Sequence, residues 1–164
     1  MDDIILVKRE MKGGENMIDV RIVAQYFLYK ASMSHKKLEK LCYYAQAWYL
    51  ANHDKPLMPN RFEAWVHGPV SPDLYSQYAD WGWIDIPKRE KSPEICDSKK
   101  SFLDQVFDVY GGYTADDLEA MTHKEEPWKK AREGLLPSEY SRRPISMKIM
   151  RDYYGERIGK TYAK

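Results

Sequence analysis

A mainly α, α+β single domain is predicted, a helical core of five to seven helices carrying a small two-stranded β element, on three features of this 164-residue sequence. Apolar residues recur at helical spacing through most of the chain, and alternation is confined to one short run at Phe62–Val66. Its 43% hydrophobic and 31% charged residues are a globular composition, and a chain this long buries about two-thirds of its unfolded surface.

The elements follow in order. Between Ile18 and Ala31, Val20, Val23, Ala24, Phe27 and Leu28 share one helical face, and Asp19 stands as N-cap. Ser34 caps a longer second helix in which Leu38, Leu41, Cys42, Ala45 and Tyr49 form one stripe and Tyr44, Trp48 and Ala51 another. A helix apolar over so wide an arc belongs at the centre, and Asp54-Lys55-Pro56 stops it near Asn52. Phe62–Val66 reads as a strand ended by Gly68-Pro69 and anchored by Trp65 against the long helix. Ser71-Pro72-Asp73 opens a helix running toward Trp81, Gly82 ends it, and Trp83–Ile86 returns as the second strand. Pro87 to Lys100 is a charged connector without periodicity.

A fourth helix, capped by Ser98, buries Phe102, Leu103, Val106, Phe107 and Tyr110 and ends at Gly111-Gly112 in left-handed geometry. Thr114-Ala115-Asp116-Asp117 has the form of a capping box for a short helix through Leu118 and Met121, and Pro127 starts another turn carrying Trp128. The last helix uses Ser146 as cap and Ile149, Met150 and Tyr153 as its buried face, stopping at Gly155. The expected organisation is therefore an extension over 1–16, a domain over 17–155 and a polar tail over 156–164. Lys12-Gly13-Gly14-Glu15-Asn16 back-translates to a purine-rich tract resembling a ribosome-binding site, which makes Met17 the expected start instead of Met1; N-terminal mass spectrometry separates the two.

Composition narrows the chemistry. Lys plus Arg (26) and Asp plus Glu (25) nearly cancel, which argues against a strongly basic nucleic-acid surface, although Lys36, Lys37 and Lys40 cluster, as do Arg142, Arg143, Lys148 and Arg151. No apolar run reaches the ~18 residues of a membrane span, and Ile4–Val7 is too brief for a secretion signal. Cys42 and Cys96 have no metal or redox spacing, and a reduced Cys42 on an apolar stripe suits the cytoplasm. His35, His53, His67 and His123 include no metal-binding pair of the usual spacing; a site built from His67 and His123 with Glu125 or Glu126 is the enzymatic or metalloprotein alternative. Phosphate loops and nucleophile elbows are missing, so no catalytic residue, cofactor or metal is expected. The unusual feature is 13 Tyr and 5 Trp against 4 Phe: amphipathic rings that either line the rim of a small core or form a partner surface. Tyr43, Trp48, Tyr75, Tyr78, Trp81 and Trp83 are the candidates for that surface.

Three segments in order, Lys37–Leu50, Glu63–Val70 (EAWVHGPV) and Leu118–Trp128 (LEAMTHKEEPW), resemble the Panacea domain, a SocA-like antitoxin family frequent in bacteria and prophages. The resemblance covers roughly Ile18 to Tyr154. It implies a helical antitoxin that binds and neutralises a cognate protein toxin, without catalytic residues. One relative acts as an adaptor delivering its toxin to the ClpXP protease, so a ClpXP-type protease is a second implied partner. A phage-encoded regulatory module of the same fold without a toxin is the alternative. Trp65, His67, Gly68, Pro69, His123, Pro127 and Trp128 carry the motifs; their side chains suit fold roles, with His123 and Trp128 packed in a corner and bonding backbone.

Overall fold

The structure, a computed structural model, describes residues 16–160. The expectations for the N-terminal extension and its start codon therefore fall, Asn16 and Met17 apart, outside the described residues. In chain order the elements are α1 (Val20–Lys30), α2 (His35–His53), β1 (Glu63–Trp65), β2 (Gly68–Val70), α3 (Pro72–Tyr78), a single 3-10 turn (Ala79–Trp81), α4 (Asp97–Tyr110), α5 (Ala115–His123), α6 (Glu126–Ala131) and α7 (Met147–Lys160). The chain is mainly α with one two-stranded antiparallel sheet, as expected.

The two apolar stripes of α2 explain the architecture. Every residue from Leu38 to Leu50 is buried, because α7 runs along this helix while α1, α4, α5 and β2 close around the rest of it. Ser34 caps it through Lys37 N, and Asp54, in left-handed geometry at φ 56°, ends it by donating its amide to Leu50 O. Gln46 is buried in this apolar setting and fully used. Its Oε1 accepts from Leu57 N and Met58 N, each at 2.9 Å, and its Nε2 donates to Met58 O, so the side chain takes the place of a strand for the loop after α2.

Much of the aromatic surplus is spent in the core. Tyr44 stacks on Tyr110 at 4.0 Å, Trp48 Nε1 donates to the Tyr110 hydroxyl at 2.7 Å, and Tyr43 lies edge-on to Phe62 and Tyr154. Tyr43 and Trp48 are therefore interior residues, and the expectation that they face a partner is corrected.

Five local expectations are also corrected. The second strand is Gly68–Val70, not Trp83–Ile86, which makes only the isolated bridge of Ile86 with Met33. Trp83 and Ile84 stand in solvent with nothing to pair against, so a short apolar run did not make a strand. Pro69 continues the ladder because it lies opposite Ala64, whose amide points the other way, to Arg143 O at 2.8 Å; the missing N–H of Pro69 faces no acceptor. Gly111 has an ordinary right-handed conformation, and glycine is needed there because a Cβ would lie 2.5 Å from Phe107 O. Cys96, not Ser98, is the N-cap of α4, and α7 passes through Gly155 to Lys160, extending helix into the predicted tail with Tyr154 and Met150 as its most buried residues.

Gly68 combines a φ of 107° with the tightest approach in the hairpin, since a Cβ would lie 2.5 Å from Lys40 Cε. Gly68→Ala is expected to destabilise the fold by about 1–3 kcal/mol, read as a lower urea midpoint with unchanged slope.

Candidate functional site

The hairpin, the start of α2 and the α3 region enclose an open cleft of about 570 Å³. Its walls are aromatic. Trp65 and Tyr75 meet at 4.9 Å, Trp83 follows from beyond Gly82, and Tyr140 reaches in from the loop before α7. Trp83 is 87% exposed and Tyr140 73%, with Tyr75 and Trp81 about 37–38% exposed, so large rings face water here. Of the six candidate partner residues, Tyr75, Tyr78, Trp81 and Trp83 thus share one stretch of chain at the surface or half-buried beneath it, and Tyr43 and Trp48 do not join them.

Trp65 is turned toward this cleft and away from α2; Phe62 and Ala64 pack inward instead. Its indole donates to Glu63 Oε1 at 2.8 Å, and the Arg142 guanidinium lies 5.9 Å from its ring. Burial works against charge on Glu63, but hydrogen bonds from Trp65, Arg61 and Arg142 outweigh it and hold the carboxyl below its usual range.

Side chains from the first turns of α2 make the floor. Glu39 is 1% exposed; its Oε1 accepts from Ser71 N at 2.8 Å and its Oε2 has no hydrogen-bond partner. Lys40, equally buried, threads beneath Gly68 and donates to Pro69 O at 3.1 Å. Burial pushes the Glu39 carboxyl up to about 8 and the Lys40 ammonium down to about 8. Glu39 and Tyr140 were not singled out from sequence: a charged residue inside a helix pattern reads as solvated face, and nothing local announces that the hairpin will cover it.

The motif histidines meet over a different carboxylate from the one expected. His67 Nδ1 is 3.2 Å and His123 Nε2 4.0 Å from Glu119 Oε2, and Lys36 pairs with Glu119 and Asp116. Glu126 is exposed, and Glu125 points inward, so the predicted grouping with either does not form. Among the described residues no group of three or more His, Cys, Asp or Glu side chains is placed to hold a metal ion. His123 stacks on Trp128 at 3.9 Å, and Trp128 Nε1 donates to Trp65 O, which ties α6 to the hairpin.

Glu125 is the buried acid of the core. Its Oε1 accepts from the Tyr44 and Tyr154 hydroxyls, each at 2.8 Å, and burial raises its carboxyl to about 7 against those two bonds. An acid whose folded value exceeds its ordinary 4.5 favours the fold fully below 4.5 and loses that contribution as the pH rises through about 7. Glu125→Gln is expected to flatten the stability profile between these limits, by about 3 kcal/mol, measured as urea midpoints across pH.

A mainly helical domain built on one buried helix, with an aromatic-walled cleft at the head of that helix, is the class these features define. Residues 38–129 match the family model described as antitoxin SocA-like, Panacea domain, and the chain belongs to that family. Over 129 residues it is 40% identical to antitoxin SocA of Caulobacter vibrioides (strain NA1000 / CB15N), an alignment covering 68% of this chain and 69% of that protein. No solved structure matches. Among the described residues no helix is long and apolar enough to cross a membrane.

Proposed function

We propose that this protein is a cytoplasmic antitoxin that neutralises a cognate protein toxin by direct contact. The observation that carries the reading is membership of the SocA-like family, with 40% identity to an antitoxin over two-thirds of the chain. The exposed rings of Tyr75, Trp81 and Trp83, with half-buried Tyr78, support contact as its means, because Tyr and Trp on a rigid scaffold are the usual anchors of protein interfaces. The work is binding and not bond-making.

Co-expression with the product of the adjoining gene tests it. Growth arrest by that product alone, relief by this protein and a complex on affinity capture are the expected results; neither relief nor complex overturns the reading. The toxin's half-life separates two modes of action. Sequestration leaves it unchanged, whereas delivery by an adaptor shortens it only in cells that contain a ClpXP-type protease.

A further inference from the structure

The floor of the cleft holds more hydrogen-bond donors than the fold uses. Lys40 Nζ carries three N–H bonds, donates one of them to Pro69 O, and joins no ion pair among the described residues. Behind the lining residues Glu39 and Val70, Ser71 Oγ is buried without a partner, next to a Glu39 carboxyl whose Oε2 is also unpartnered. Burial raises that carboxyl and so favours its neutral form, whose O–H is a further donor. One turn earlier on the same face of α2, His35 Nδ1 is buried and unpartnered.

Charge points the same way. Lys36, the other lysine of the cleft, is neutralised by Asp116 and Glu119, and burial holds His35 below its usual value and hence neutral. Lys40 has no carboxylate within ion-pairing distance among the described residues, and only Glu39 and Glu119 attract it from further off. An apolar side chain seated here would leave the donors buried and unmade, at about 1–3 kcal/mol each, and a lysine or arginine would face Lys40 with like charge. A carboxylate satisfies both the charge and the donors, in bonds roughly twice as strong as neutral ones.

We propose that the cleft receives an aspartate or glutamate side chain presented by a segment of the bound protein. Its oxygens accept from Lys40 and from the Glu39 carboxyl, which Ser71 backs, and its methylenes lie between the rings of Trp65, Tyr75 and Trp83. The volume of about 570 Å³ has room for the side chain and part of the backbone that carries it. The antitoxin reading supplies only the identity of the partner; the site is argued from the cleft itself.

The test is an NMR titration of the whole protein with N-acetylglutamate methylamide, beside its glutamine and arginine counterparts and a short oligothymidylate as a phosphate source. The glutamate compound is expected to shift the Trp65 and Trp83 indole signals and the Ser71 amide saturably. Its glutamine counterpart binds about tenfold more weakly, the loss of a charged hydrogen bond. Lys40→Met, close in shape to lysine beneath Gly68, abolishes the shifts. If that variant does not fold, Ser71→Ala serves in its place and weakens binding. Equal binding of the glutamine compound, tighter binding of the arginine compound or the oligonucleotide, no shift at all, or shifts unaffected by whichever variant is used would each overturn the proposal. Toxin capture is scored separately. A folded Lys40→Met protein, or Ser71→Ala in its place, that captures toxin as the wild type does overturns the cleft inference and leaves the antitoxin reading standing. Wild-type protein that binds the glutamate compound at the cleft yet captures no toxin supports the site and removes the antitoxin reading.

Discussion

Arg132→Met is expected to cost about 3–5 kcal/mol, the largest stability loss of any single replacement described above. The guanidinium is 5% exposed at the end of α6, stacked 5.1 Å from the Trp128 ring, and no carboxylate among the described residues neutralises it. Its charge is spread over backbone carbonyls instead. Nη1 donates to Ala64 O at 3.0 Å, and Nη2 serves Leu136 O, Pro137 O and Glu139 O. Methionine fills the volume and leaves those acceptors unpaired, each costing about 1–3 kcal/mol where water cannot reach it. Arg132→Lys is expected to rescue little, because a single ammonium cannot span β1 and the loop as the planar fork does. Urea unfolding reads the stability, and faster amide exchange over 135–143 reads the release of the segment that brings Tyr140 to the cleft and Arg143 O to Ala64 N. An unchanged urea midpoint would show that water replaces the guanidinium freely.

Trp83→Ala is expected to weaken capture of the proposed toxin by about 30-fold or more, the roughly 2–4 kcal/mol of an interface anchor, and to leave stability within about 0.5 kcal/mol. The two effects separate because the ring is 87% exposed: it stabilises nothing in the isolated chain and has its whole apolar face to bury against a partner. Truncating Tyr49, a core ring 3% exposed, should do the reverse, lowering stability without altering the affinity of the molecules that remain folded. Paired calorimetry and thermal melts of the two variants distinguish a contact surface from a merely wet rim. Equal affinity of Trp83→Ala and wild type places the toxin on another face.

Helix boundaries set by local chemistry were legible from sequence. Asp19 caps α1, Ser34 caps α2, and Thr114 and Asp117 form the reciprocal capping box of α5, since each cap depends on a side chain reaching an amide two or three residues away. The EAWVHGPV segment was recognised, and its internal pairing was misread because Pro69 and Gly68 look like terminators until the far edge of β1 is known to be occupied by Arg143 and Ile145. Half of the candidate surface was legible in the same sense. Tyr75, Tyr78, Trp81 and Trp83 cluster because they are neighbours in sequence, whereas no local rule told Trp48 from Trp83.

Composition, spacing and motif order by themselves determined a mainly helical domain, the central place of α2 and the family, all of which rest on periodicity or on residues read in order. Tertiary structure alone decided which rings are core and which are surface, that Glu39 and Lys40 lie beneath a hairpin, and that Glu119 and not Glu125 gathers the histidines. The physical reason is that burial and electrostatic partnership are properties of what packs against a residue. For α2 those neighbours come from the hairpin and from a helix about a hundred residues further along the chain.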